Sequence, residues 1–308
     1  MSSGFRNSAC TRSRPLTRAL GHRRVQHTAI AIAFIVTACL LPPASLRADA
    51  SLPIFDAHVH YSEDAWPHYD SRAILALLAK AGVVHALVSS TPDEGTVRLY
   101  KADAKRIVPI LRPYRSRTDM LSWYRDPAVL AYVERRLAQG YYRGIGEFHL
   151  FDAADAETPQ IRRLTELAVE RGIILHVHSG AAPIRALYAI NPELQILWAH
   201  AGVDASPALI GELLDHYPTL STELSLRASD IAPGGQLAPA WRELLLRHSS
   251  RFMIGTDTWT PGRWPHYPEL VREHRQWLAQ LPPRAARQIA YENAARHFVG
   301  RSDRRPPQ

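Results

Sequence analysis

From residue 52 to about 299 the chain alternates two kinds of segment. Short, almost continuous apolar runs give way to longer stretches whose apolar residues recur every three or four positions. The strand candidates lie at 52–58, 83–90, 106–113, 144–150, 173–179, 194–200, 220–225 and 251–256, and most have the apolar character of strands buried on both faces. The longer stretches read as amphipathic helices. Segment 71–81 gathers Ile74, Leu75, Leu77 and Leu78 on one side, and 128–138, 160–171, 207–216 and 239–248 show similar faces. Punctuation agrees: Gly82, Gly140 and Gly172 stand at helix ends, and Ser206-Pro207 offers a cap followed by proline at the first helical position.

Eight such alternations in about 250 residues predict an α/β fold, a (β/α)8 TIM barrel with a C-terminal helix. A doubly wound open sheet is the competing architecture, but no G-x-G-x-x-G turn follows an early strand to support it. With 46% hydrophobic and 21% charged residues in 308, the chain can bury a large core, which excludes disorder as its main description. No internal repeat or linker divides it. Residues 51–300 therefore read as one domain, and 301–308 as a basic, disordered tail.

The formal charge of +8 is unevenly placed. Seven of the 37 basic residues and one of the 29 acidic ones fall in residues 1–50, which leaves 30 against 28, a charge of +2. Net charge therefore gives no support for nucleic-acid binding. Residues 1–50 read as an export signal: six arginines from Arg6 to Arg24, an apolar run from Thr28 to Leu41, then Ala48-Asp49-Ala50 as a small-residue cleavage site. Val36-Thr37-Ala38-Cys39 also resembles a lipoprotein box, with Cys39 as the lipidated residue. The expected location is periplasmic or lipid-anchored in a bacterial envelope, with membrane contact only through this leader. Both cysteines, Cys10 and Cys39, lie in it, so any metal in the remainder is held by His, Asp and Glu.

Barrel chemistry collects where strands end and the following loops begin. Those positions hold His58 and His60 in Asp56-Ala57-His58-Val59-His60, then Glu147, His178, His200 and Asp257. Two histidines at i and i+2 on a strand face one side. Each residue alone has an ordinary structural reading, as a hydrogen-bonded rim histidine, a helix cap or a turn. Six together at one barrel mouth point to a divalent metal site. Imidazole and carboxylate ligands favour zinc first, with manganese, iron or cobalt as alternatives, as one ion or two. The same strand parity places Asp56 and His176 inward, one layer below the site, where they are expected to approach each other. Arg112 and Arg115 after the third strand, His149, and Trp259 and Trp264 after the last are candidates for substrate contact.

The pieces Phe55–His60, Gly146-Glu147, His178-Ser179-Gly180, His200-Ala201-Gly202, Gly255-Thr256-Asp257 and Tyr291-Glu292-Asn293-Ala294-Ala295-Arg296-His297-Phe298 make the chain resemble the amidohydrolase superfamily, in particular its amidohydrolase-related branch. The resemblance implies that His58, His60, His178 and Asp257 hold a first metal, and that His200 binds a second or assists catalysis directly. It puts Glu147 where relatives carry a carboxylated lysine or a metal-bridging glutamate. The activity it implies is hydrolysis of an amide, ester, lactone or related bond of a small molecule. Asp257 would take a proton from the attacking water and His200 would polarise the carbonyl. A metal-dependent decarboxylase or lyase is the alternative within the same branch. A phosphodiesterase-like hydrolase and a non-catalytic binding barrel are more distant ones, and a homo-oligomer is open.

Overall fold

The computed structural model describes residues 52–299. The export reading of residues 1–50, with its choice between Ala50 and Cys39, and the tail 301–308 lie outside these residues. Eight parallel strands follow the expected runs: β1 (Ile54–Val59), β2 (Val83–Val88), β3 (Ile107–Pro109), β4 (Gly144–His149), β5 (Ile174–His178), β6 (Ile196–Trp198), β7 (Leu220–Glu223) and β8 (Phe252–Met253). They form two ladders, β1-β2-β3 and β4 to β8 in order. Parallel bridges Leu111↔Ile145 and Asp56↔Ile254 close the two seams. At those seams Leu111 N–H donates to Gly144 O at 3.0 Å and Ala57 N–H to Ile254 O at 2.8 Å. The sheet is a closed barrel.

Strands β3, β6, β7 and β8 are shorter than the runs that predict them. Helices link the strands: α1 (Ser71–Lys80), α2 (Glu94–Ala102), α3 (Pro127–Leu137), α4 (Pro159–Arg171), α5 (Ala181–Ile190), α6 (Pro207–His216), α7 (Ala228–Ile231) and α8 (Pro239–Arg247). After β8 come α9 (Tyr267–Leu278), α10 (Pro283–Arg287) and α11 (Asn293–Phe298). Ser206 caps α6 through Leu209 N–H with Pro207 behind it, as its sequence implies. Helices α2, α5 and α9 escape the apolar periodicity. The buried faces of α2 and α9 include Gly95 and Thr96, or His274 and Arg275, and α5 starts on Ala-Ala-Pro.

The C-terminal α11 sets Ala294 and Phe298 against Phe55, Leu87, Ile174, Leu197 and Met253, a core distinct from the larger one. Among the described residues no helix is long and apolar enough to cross a membrane.

Candidate metal centre

His58 and His60 leave β1 with their ring Nε2 atoms 2.9 Å apart. Their other nitrogens fix what those atoms carry. His60 Nδ1 lies 2.6 Å from the carbonyl oxygen of Ser89, which can only accept, so Nδ1 bears the proton and Nε2 presents a lone pair. His58 Nδ1 lies 3.0 Å from Oε1 of Glu223 and is likewise the donor to a carboxylate. Two lone pairs at 2.9 Å repel unless a cation, a proton or a metal ion, lies between them. Ligand nitrogens about 2.0–2.1 Å from one ion, at angles between octahedral and tetrahedral, stand roughly 2.9–3.4 Å apart, so the spacing fits a shared ion.

Glu147 at the end of β4 reaches both sides of the cluster. Its Oε2 lies 3.1 Å from His60 Nε2 and 3.5 Å from His58 Nε2. Its Oε1 lies 2.8 Å from His178 Nδ1 and 3.4 Å from His200 Nε2. His200 donates through Nδ1 to the hydroxyl of Ser225 at 2.7 Å, which leaves its Nε2 bare, 3.2 Å from His178 Nδ1. Asp257 brings Oδ1 to 3.4 Å from His60 Nε2 and 3.6 Å from His58 Nε2, and that buried oxygen has no hydrogen-bond partner. By distance the donors gather about the two oxygens of Glu147, His58 and His60 with Asp257 nearer Oε2 and His178 and His200 nearer Oε1, while His58, Glu147 and His200 also lie close enough to share one ion.

Backbone conformation assists. His200 (φ 55°) and Asp257 (φ 51°) both occupy the left-handed region, sparsely populated outside glycine. Each is held by its own N–H, His200 to Glu223 Oε1 at 2.6 Å and Asp257 to His58 O at 2.7 Å. Two glycines give the site room. Gly146 has φ 133°, and a Cβ there would fall 2.2 Å from His176 O. At Gly255 a Cβ would fall 2.2 Å from Glu223 Oε2 and 2.8 Å from His58 Cβ.

Glu223, on β7, is the residue that sequence reasoning missed. It is fully buried, and its carboxylate takes His58 Nδ1–H, His200 N–H, Ser225 N–H and the Ser225 hydroxyl. Its signal was present but quiet: Ser221-Thr222-Glu223 are three consecutive polar residues in a strand with no side exposed. Electrostatics follows the geometry. Burial would push His58 down, but Asp257, Glu147 and Glu223 outweigh it and hold the imidazole well above its ordinary range. Burial would raise Glu147, yet His58 and the hydrogen bonds of His178 and His200 hold it well below. Three buried carboxylates, offset by one guanidinium, make a pocket of negative charge suited to a cation.

The remaining candidates divide. Asp56 and His176 do not pair. Asp56 accepts from Thr256 Oγ1 at 2.6 Å, Tyr267 OH at 2.7 Å and the N–H groups of His58 and Thr256. Both ring nitrogens of His176 lack a hydrogen-bond partner, and its ring packs edge-on to His58. The register of β1 against β2 shifts between Asp56 and Val59, so the strand alternation does not carry from His58 back to Asp56. Arg112 lines the cavity over the cluster but is committed to Glu147, Nε to its carbonyl oxygen at 3.0 Å and Nη2 to Oε2 at 2.9 Å. Arg115 pairs instead with Asp119 and Asp126. His149 and Trp259 line the cavity, whereas Trp264 is buried against Tyr267.

His149 stacks on His178, and burial lowers its pKa to about 3, so the ring is neutral. The Tyr114 hydroxyl accepts the backbone N–H of His149 at 2.8 Å and lies 3.0 Å from its Nδ1. With the hydroxyl as donor in that second contact, Nδ1 accepts and Nε2 carries the ring hydrogen.

A closed parallel barrel with histidine and carboxylate clusters at the carboxyl ends of its strands defines a class, and comparison gives it a name. The chain belongs to the amidohydrolase family, whose model matches residues 55–299. Solved structures with the same fold include a probable 2-pyrone-4,6-dicarboxylic acid hydrolase from Acinetobacter baumannii with citric acid bound. It is 12% identical with a TM-score of 0.56, over 80% of this chain and 99% of that one. An amidohydrolase from Burkholderia multivorans is 16% identical with a TM-score of 0.52, over 80% and 99% of the two chains. Amidohydrolase 2 from Bifidobacterium longum subsp. infantis is 14% identical with a TM-score of 0.50, over 81% and 99%. At these identities the likeness carries the fold. No curated protein sequence matches the chain.

Proposed function

We propose that this amidohydrolase is a metal-dependent hydrolase with two ions per chain, cleaving an amide, ester or lactone bond of a small molecule. One observation carries the reading: Glu147 turns one carboxylate oxygen to His58 and His60 and the other to His178 and His200. His58, His60, Glu147, His178, His200 and Asp257 would hold divalent ions, zinc first for such a donor set, which would supply a lowered pKa for bound water and polarisation of a carbonyl oxygen. The chain's own groups do the rest. Asp257, with Oδ1 free of other partners, takes the proton of the attacking water and passes it to the leaving group. His149 offers its Nε2–H to a substrate oxygen at the cavity wall. Arg112 keeps Glu147 from rotating out of line. Export, read from residues 1–50, belongs to the same proposal.

A second reading, a one-metal decarboxylase or lyase, draws on the Arg112–Glu147 pair at 2.9 Å, because a carboxylate already neutralised by a guanidinium offers less to a second ion. Metal content of the purified protein, measured together with turnover of amide, ester and lactone panels, tests the choice. Two ions with hydrolysis support the first reading. One ion with CO2 release from an unsaturated acid overturns it.

A further inference from the structure

The cavity above the cluster has a volume of about 300 Å³, at the small end of ligand sites. Two guanidinium groups reach it and each is already paired, Arg112 with Glu147 and Arg117 with Asp64. Away from the metal ligands, the guanidinium groups that a substrate carboxylate would meet both already carry an acid partner. The wall tells the same story from the apolar side. Met120, Tyr114, Leu226 and Trp259 line it, and Phe151 reaches within 5.5 Å of the His149 ring, centroid to centroid. Of the seven exposed large hydrophobic residues among those described, five (Leu121, Phe151, Val203, Leu226 and Trp259) follow strand ends on this one face of the barrel. Scattered exposed apolar residues need no explanation, but their concentration on the face that carries this cavity, with Leu226 and Trp259 in its wall, marks a binding surface.

We infer that the substrate carries an uncharged apolar group, aromatic or branched aliphatic, beside the bond that is cleaved, and no carboxylate at that position. This rests on reading the cavity as the active site of a metal-dependent hydrolase. Trp259, Leu226 and Phe151 would cover that group, while its carbonyl faces Glu147 and Asp257.

Three hydroxamates separate the two ideas, since all share a metal-chelating head and differ in the tail. Calorimetric titration of the metal-loaded protein with phenylacetohydroxamate, acetohydroxamate and succinic monohydroxamate should show the phenyl compound binding about tenfold or more tighter than the acetyl one. The carboxylate-bearing compound should gain nothing over acetyl. In Trp259→Ala and Phe151→Ala, checked for folding by circular dichroism, the phenyl-over-acetyl ratio should fall. Equal binding of all three, or preference for the succinic compound, overturns the substrate class and leaves the metal reading standing. Binding of none strikes at the metal reading and removes the proposal with it.

Discussion

His58 Nδ1 donates to Glu223 Oε1 across 3.0 Å, and the same oxygen accepts the backbone N–H of His200 at 2.6 Å. One buried carboxylate thus sets the tautomer of a histidine in one donor set and the backbone of a histidine in the other. Such partners of ligating histidines typically change metal affinity by about 10–100-fold when altered. Glu223→Gln, which keeps an acceptor but loses the charge, should weaken metal retention by about tenfold. Glu223→Leu should weaken it further and lower stability by roughly 1–3 kcal/mol, because the His200 and Ser225 N–H groups lose their acceptor. Competition with a chromogenic chelator and urea unfolding measure the two effects separately. Unchanged affinity in both variants would show that Glu223 only packs.

Asp257→Asn should fold normally, because the residue sits at φ 51° and asparagine tolerates the left-handed region well. Turnover should fall by about 10²–10⁴-fold, the usual contribution of a positioned acid–base group. Near-normal kcat in metal-replete protein would remove Asp257 from its role.

The strand ends were readable because they are local. An apolar run stopping at His58-Val59-His60 or Gly146-Glu147 announces both a strand and the face of the barrel where its last residue lies. What was not readable depended on closure. Which oxygen of Glu147 each histidine faces is decided by how the barrel closes across β4 to β6, not by any spacing along β5. Asp56 was misplaced because the alternation of β1 breaks at a register shift that no residue type marks. Glu223 lies inside the 220–225 segment behind Ser221 and Thr222, not at the end of an apolar run, so nothing along the chain set it apart. Trp264 and Trp259 stand five positions apart in one loop, yet one is buried and the other half exposed, a difference set by the packing of Tyr267 on α9.

His274 on α9 gives a pH dependence with a definite sign. Its Nε2 donates to Gly255 O at 2.8 Å, its Nδ1 has no partner, and burial, only partly offset by that carbonyl, brings its pKa down to about 4. In the unfolded chain the value is about 6.5. Between these values the unfolded state takes up a proton that the folded state does not. The stability contributed is therefore complete above about pH 6.5 and is lost as pH falls toward about 4, roughly 3 kcal/mol in all. His274→Gln keeps a donor to Gly255 and does not titrate. Urea unfolding from about pH 7 to about pH 4.5 should show a shallower decline in the variant than in the parent; parallel curves would contradict a neutral buried His274.

Glu147 links the two donor sets and also neutralises Arg112, and a pair of variants separates these roles. Glu147→Ala removes both oxygens, so the two ions per chain proposed above should fall to one or fewer. It also leaves the Arg112 guanidinium, only 8% exposed, without its carboxylate. An uncompensated buried charge of this kind costs about 3–5 kcal/mol, so the single variant should melt well below the parent even with the metal removed from both. Adding Arg112→Met removes the orphaned charge and should recover most of the lost stability without restoring the second ion. Thermal melts of metal-free protein and elemental analysis of loaded protein read the two effects independently. Two ions retained in Glu147→Ala would mean that the His58–His60 and His178–His200 sets bind without the carboxylate between them.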